Sequence, residues 1–199
     1  MTAPRPYHHG NLRAALLRAA EDALEAGGIG KISLRELSRE LGVSHTSPRR
    51  HFAGKQALLD ALAISGFERF EESLKGAVQA RGHSFKARLT RLAQAYVAFG
   101  LKHPALFALM FEAKHRPGAP RELLESGSKA FGHGPALFAE GQANGEVVPG
   151  DPARLSLVVI AALQGLLAIS TDGKFKGIEL DVLAKESVER IIAGLRPRD

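Results

Sequence analysis

Residues 33 to 52 read SLRELSRELGVSHTSPRRHF, two short helical segments flanking a turn at Gly42. Ser33 and Glu36 have the spacing of a capping box, in which Ser33 accepts from the Glu36 amide while Glu36 reaches back. Ile32 and Leu37 have the spacing of a hydrophobic staple. Leu34, Leu37 and Leu41 fall on one face and leave Arg35, Ser38 and Arg39 toward solvent. Gly42 suits a left-handed cap that ends the first helix, and Ser44 can cap the next. The second segment carries hydroxyls, imidazoles and guanidiniums with almost no apolar filler. That is the layout of a helix-turn-helix whose second helix enters the major groove of DNA.

Within that second helix, His45, Thr46, Ser47 and Arg49 are expected to point outward. Hydroxyls meet base edges or phosphates, and the fork of an Arg suits a guanine edge or a phosphate. Arg50 and His51 follow on the DNA side, although His51 fits packing as well as a phosphate contact. Phe52 reads as core filler that pins the motif onto the first helix of the chain. Pro48 lacks an N–H and belongs in a first helical turn. Counted from a Ser44 cap it falls at the fourth position, and counted from Ser47 at the first, so the helix start is open by a residue or more. Ser33 and Lys55, each at a helix start, are the expected phosphate clamps beside Arg35 and Ser44. A purely structural cap and a surface lysine are the alternatives for these two.

Charge points the same way. Residues 1 to 55 hold nine Lys/Arg against five Asp/Glu, and the rest of the chain eighteen against sixteen, so most of the net +6 lies in the first quarter. A basic lobe joined to a near-neutral one implies a polyanion at one end. At 199 residues and 45% hydrophobic content, the chain can bury a real core as one compact domain or two small ones. It has no Cys, which excludes disulfides and thiolate metal sites and fits a reducing compartment. The first ten residues have no apolar core of the signal-peptide kind, and the run 155 to 169 falls short of the ~20 residues of a membrane span. A cytoplasmic protein without membrane association is the expectation.

The stretch also resembles the DNA-binding domain of the TetR (tetracycline-repressor) family of bacterial transcriptional regulators. The residues that carry the resemblance run from His9-Gly10-Asn11-Leu12-Arg13 through Ser33-Leu34-Arg35-Glu36-Leu37, Gly42-Val43-Ser44 and Arg50-His51-Phe52 to Lys55 and Leu58-Leu59. Downstream, His103-Pro104-Ala105-Leu106 and Met110-Phe111 look like the subgroup whose C-terminal domain is named for a Trp-His-Gly motif. Its positions here hold Ile160, Gln164 and Gly165. The family often has a Tyr before the Arg-His-Phe triplet, where this chain has Arg49 preceded by Pro48. The resemblance implies a C-terminal lobe with an effector pocket, in which a bound small molecule loosens DNA binding.

The helical period continues through nearly every segment, which predicts an all-α fold of about nine helices. A three-helix DNA-binding domain is expected over 8–54 and an effector-binding and dimerisation domain over 55–199. Helices are predicted over about 11–26, then from Gly54-Lys55 to near Arg81-Gly82, 85–100, a short one after Pro104, 121–143 with breaks at its glycines and Pro135, 152–170 and 179–194. Residues 113–120 and 145–150 read as loops. Asp151-Pro152 is a cap followed by Pro at the first helical position. The run LSLVVIAALQGLLAI over 155–169 is apolar almost all round, so more than one side of it must be covered. With the last helix it predicts a symmetric dimer through a four-helix bundle, with Leu166 and Ile192 inside the interface.

Enzymatic motifs such as a P-loop, a dinucleotide fingerprint, a nucleophile elbow or His-Glu-x-x-His are absent from the sequence, and no cofactor is implied. The eight His form no i,i+4 ligand pair, so no metal site is expected. His8 and His9 belong with Arg5 to a basic N-terminal arm. The expected effector pocket gathers Phe99, His103, Phe107, Met110, Phe111, Phe138 and Gln164, with His103 and Gln164 as its polar groups. The reading is a homodimeric repressor that binds a palindromic double-stranded operator and is released by a small molecule. Its rival is an architectural protein that binds DNA without sequence preference or effector.

Overall fold

Leu12, Leu16, Ala19, Ala20 and Leu24 recur at helical spacing and are buried together along helix α1 (Leu12–Gly27). In the computed structural model, which describes residues 12–79, 84–170 and 179–195, α1 is followed by eight more α-helices and no strand among the described residues. The N-terminal arm, the expected start of α1 at Asn11 and the fading helix end at Arg81-Gly82 lie outside the described residues.

The chain divides into two units, residues 1–66 with 105–123, and 67–104 with 124–199. This differs from the boundary expected at residue 54. Helix α3 (Lys55–Val78) runs unbroken through residue 66, and its first half belongs with the DNA-binding helices. The other addition to the first unit is α5 (Pro104–His115), with Leu106, Phe107, Leu109 and Met110 buried. Gly66 of α3 permits a close approach, because a Cβ there would lie 2.7 Å from Met110 Sδ. The Glu25 carboxylate caps the N-terminus of α5, accepting from the Ala105 and Leu106 amides at 3.2 and 3.1 Å. A carboxylate at that end also suits the helix dipole. Asp60 of α3, 7% exposed, accepts from Arg116 Nη2 at 3.0 Å on both oxygens and from Gln56 Nε2 at 2.9 Å.

The second unit is built around α4 (Phe85–Lys102), which packs on α7 (His133–Ala143), α8 (Pro152–Ser170) and α9 (Leu180–Leu195). Its core is aromatic, with the Phe70 ring 5.3 Å from Tyr96, 5.1 Å from Phe99 and 5.9 Å from Phe131. The predicted 121–143 helix is split into α6 (Arg121–Phe131) and α7. Pro135 has no N–H to give the Phe131 carbonyl, so the ladder stops and restarts with Pro135 in a first turn, where that loss is harmless. Helix α5 runs to His115, three residues into the predicted loop. Asp151 accepts from the Ala153 amide at 2.9 Å, the expected cap of α8. Buried Glu71 meets His133 Nε2 at 3.0 Å and Lys129 Nζ at 3.5 Å. The hydrogen bond to His133, helped by Lys129 and opposed by burial, holds its carboxyl below the usual carboxylate range.

By length and composition alone α8 could cross a membrane. In this fold it is a bundle helix, with Ser156, Val159, Leu163, Leu166 and Leu167 buried on the inner face. Its outer face stays open, with Leu157 59% and Val158 55% exposed, and Val182 of α9 is 48% exposed. Leu166 and Ile192, expected at a dimer interface, are instead buried within the chain, at 8% and 6% exposure. The apolar character of α8 extends round both faces, and the sequence period alone does not say which one turns inward.

Candidate nucleic-acid interface

Helix α2 (Leu34–Glu40) begins at Ser33, whose extended backbone (φ −137°, ψ 123°) is that of an N-cap. The capping box does not close, since the Ser33 side chain makes no cap bond. Leu37 and Ile32 are 2% exposed and anchor the helix, while Arg35 and Arg39 are exposed. Ser38 corrects the expected face: it is fully buried, and its hydroxyl donates to the Leu34 carbonyl at 2.7 Å. A small residue that satisfies its own polar group one turn back fits a buried position there.

Gly42 ends α2 at φ +65°, with its amide on the Arg39 carbonyl at 3.2 Å and the Val43 amide on the Ser38 carbonyl at 2.9 Å. This pair of bonds is a Schellman cap, and the positive φ is why glycine stands at this position. Beyond it no α-helix forms. Residues 45–47 are a turn, and Pro48–Arg50 is a single 3₁₀ turn. The expected recognition helix is therefore one tight turn. The Ser47 amide donates to Ser44 O at 3.0 Å, Arg50 to Ser47 O at 3.2 Å and His51 to Pro48 O at 2.9 Å, all to the carbonyl three residues back. Pro48 cannot make the i→i−4 bond to Ser44 that an α-helix requires.

The turn presents the side chains expected of it. Ser44, His45, Thr46, Arg49, Arg50 and His51 are exposed, and Ser33 and Ser47 are half-buried. Ser44 Oγ lies 2.8 Å from Ser47 Oγ and 3.1 Å from Thr46 Oγ1, so the three hydroxyls engage one another. Pro48 and Phe52 form the buried underside, Phe52 at 3% exposure with the Arg13 guanidinium 5.6 Å from its ring centre. Lys55 is exposed and also donates to the Ile29 carbonyl at 2.7 Å. That bond ties the start of α3 to the 3₁₀ turn Ile29–Lys31 ahead of α2. Sequence reasoning missed this link and the Arg13–Phe52 stack, since neither follows from local spacing.

Of the set expected to line an effector pocket, part belongs to the first unit and part to the second. Phe107 packs on Phe111, with ring centres 5.0 Å apart, and Met110 lies against Gly66, all in the first unit. Phe111 lines an open groove there with Gln56, Leu59, Glu112, His115 and Arg116. In the second unit, His103 stacks on Phe99 at 5.1 Å and meets Arg69 Nη2 at 3.2 Å. Gln164 of α8 is half-exposed. Of the set, Phe138 lines a half-open cavity of the second unit, with Leu74, Leu89, Leu92, Tyr96, Phe131, Ser156, Val159 and Ile160 among its neighbours. That cavity has room for about one water molecule as it stands. Its wall carries no charged side chain, and burial pushes the Tyr96 phenol up, leaving it neutral. Among the described residues, no three His, Cys, Asp or Glu side chains come together as a metal site.

A helix-turn-helix with its apolar side buried and its basic, hydroxylic side exposed, joined to a second all-helical unit, defines a DNA-binding protein of the helix-turn-helix class. Residues 16–62 match the model of the bacterial regulatory proteins of the tetR family, and residues 89–195 match the tetracyclin repressor-like C-terminal domain. The chain belongs to the TetR family of transcriptional regulators. It is 41% identical to a protein of unknown function from Rhodococcus sp. RHA1, over 98% of this chain and 100% of that one, with a TM-score of 0.91. The same fold is found in the TetR family transcriptional regulator PfmR from Thermus thermophilus, at 18% identity over 92% and 99% of the two chains and a TM-score of 0.71. A regulator of the TetR/AcrR family from Thermobifida fusca is similar at 19% identity over 94% and 100%, with a TM-score of 0.75. No curated protein matches this chain.

The Lys55 geometry makes one expectation specific. Lys55→Ala should weaken binding to all DNA sequences alike and lower the salt slope by about one phosphate. A loss confined to one operator base pair would show that Lys55 acts by placing the turn rather than by meeting the backbone.

Proposed function

We propose that this regulator is a cytoplasmic repressor that binds a palindromic operator as a homodimer and leaves it when a small molecule binds. The observation that carries the reading is the exposed turn from Ser44 to His51, whose apolar underside is buried while its polar tips face solvent. His45, Thr46 and Ser47 are the base-facing candidates. Arg35, Arg50, His51 and Lys55, with Ser33 and Ser44, are the candidates for phosphate contacts. Two-fold symmetry would set two such turns in successive major grooves, about 34–36 Å apart. The exposed apolar faces of α8 and α9 supply a surface for the second copy. The uncharged cavity beside Tyr96 and Phe138 favours a neutral, apolar effector, because an unpaired buried charge costs several kcal/mol. Such a molecule must widen the cavity to enter, and that displacement is the source of its effect on DNA binding.

Arg49 stands where the family often has Tyr, and it tests the reading directly. We assign it to the phosphates, where a full charge and a forked donor exceed a phenol. Arg49→Tyr should then keep the order of preference among operators while lowering the salt slope. Preference flattened at one symmetric pair of positions, by roughly 1–3 kcal/mol per half-site, would make it a base reader instead. The measurement is wild type and Arg49→Tyr against all single-base operator variants at two salt concentrations. Wild-type binding without any preference would replace the repressor by an architectural protein.

A further inference from the structure

Pro48 does more than mark where a helix starts. It has no N–H, so the Ser44 carbonyl accepts from the Ser47 amide at 3.0 Å, and the segment continues with i→i−3 bonds at Arg50 and His51. The first bond of α-helical span is that of the Phe52 amide to Pro48 O at 2.9 Å. The hydroxyls of Ser44, Thr46 and Ser47 close the turn from the outer side, and the buried Pro48 ring holds it from below. A 3₁₀ turn advances about 2.0 Å and 120° per residue, against 1.5 Å and 100° in an α-helix. From Ser47 to Arg50 the difference reaches roughly 1.5 Å and 60°. A hydrogen bond to a base edge tolerates far less than that.

We propose that Pro48 is a specificity-determining residue of this regulator: by holding residues 44–51 in a tight turn, it selects which side chains reach which base pairs, with Ser44 as the positioning residue of that turn. The inference rests on the reading of this turn as the DNA-contacting edge. Pro48 itself touches no base, and its effect passes through the base-facing His45, Thr46 and Ser47. Restoring an N–H at position 48 lets the Ser44 carbonyl take an i→i−4 bond, and the outward side chains rotate together.

The test is selection of preferred duplexes from a random pool by the full chain, for wild type, Pro48→Ala and the Ser44→Ala/Ser47→Ala pair. Affinity for random-sequence duplex at low salt is measured beside it. Pro48→Ala should keep its affinity for random duplex within about twofold while losing at least about tenfold on the wild-type operator and selecting a different half-site. The serine pair, on the outer side of the turn, should broaden preference at those same positions. Pro48→Ser, which also restores an N–H at position 48, carries the test if circular dichroism shows that Pro48→Ala does not fold. Unchanged half-site preference in the folded variants overturns the inference and leaves the repressor reading standing. A wild type that selects no sequence overturns both.

Discussion

Replacing Arg116 with alanine is expected to lower the stability of the first unit by about 3 kcal/mol, at the lower end of the cost of breaking a buried ion pair. Asp60 is 7% exposed, and its two oxygens share Arg116 Nη2 at 3.0 Å each. Without the guanidinium, the carboxylate keeps only Gln56 at 2.9 Å and remains out of water. The cost falls short of a fully buried pair because the Arg116 side chain is 33% exposed. Urea unfolding should show a lower midpoint with an unchanged slope. The double variant Asp60→Leu/Arg116→Leu should recover much of the loss, since it removes the stranded charge along with its partner. A loss below about 1 kcal/mol for Arg116→Ala would mean that water reaches Asp60 as readily as it reaches a surface pair.

The second large effect concerns association. Leu157 and Val158 are 59% and 55% exposed on α8, and under the homodimer reading proposed above a second copy covers them. Leu157→Asp/Val158→Asp should weaken dimerisation at least ~100-fold, because each carboxylate would have to be desolvated without a partner. The monomer should stay folded, since both side chains already face solvent in the single chain. Operator affinity should fall with it, while binding to random duplex changes little. Leu166→Asp and Ile192→Asp make the useful contrast, because these positions belong to the chain's own core and should unfold it. Sedimentation equilibrium and circular dichroism on these variants separate the outcomes. A folded dimer at wild-type affinity for Leu157→Asp/Val158→Asp would move the interface elsewhere.

Most of the fold was legible because its determinants are local. The apolar spacing of α1, the Asp151 cap and the left-handed Gly42 each depend on residues within a turn or so of one another. The exposed tips of the Ser44–His51 segment were also legible, since a stretch with so little apolar material has nothing to bury but Pro48 and Phe52. Its conformation was legible only in part. The conflict at Pro48 was visible as two possible helix starts, and the structure resolves it by forming neither.

By itself, then, the sequence determined the helices, their caps and the polar edge of the helix-turn-helix, through hydrogen bonds and periodicities that close within about four residues. Tertiary structure decided what those rules do not reach. It joined α5 to the DNA-binding helices through Glu25 and Asp60, whose partners lie 56 to 81 residues away. It buried Ser38, turned Leu166 inward and Leu157 outward, and of the expected pocket residues set Phe138 at the cavity beside Tyr96. The physical reason is common to these cases. A helix that is apolar or small on more than one side has several faces of nearly equal hydrophobicity, and only the shape of its neighbours chooses among them.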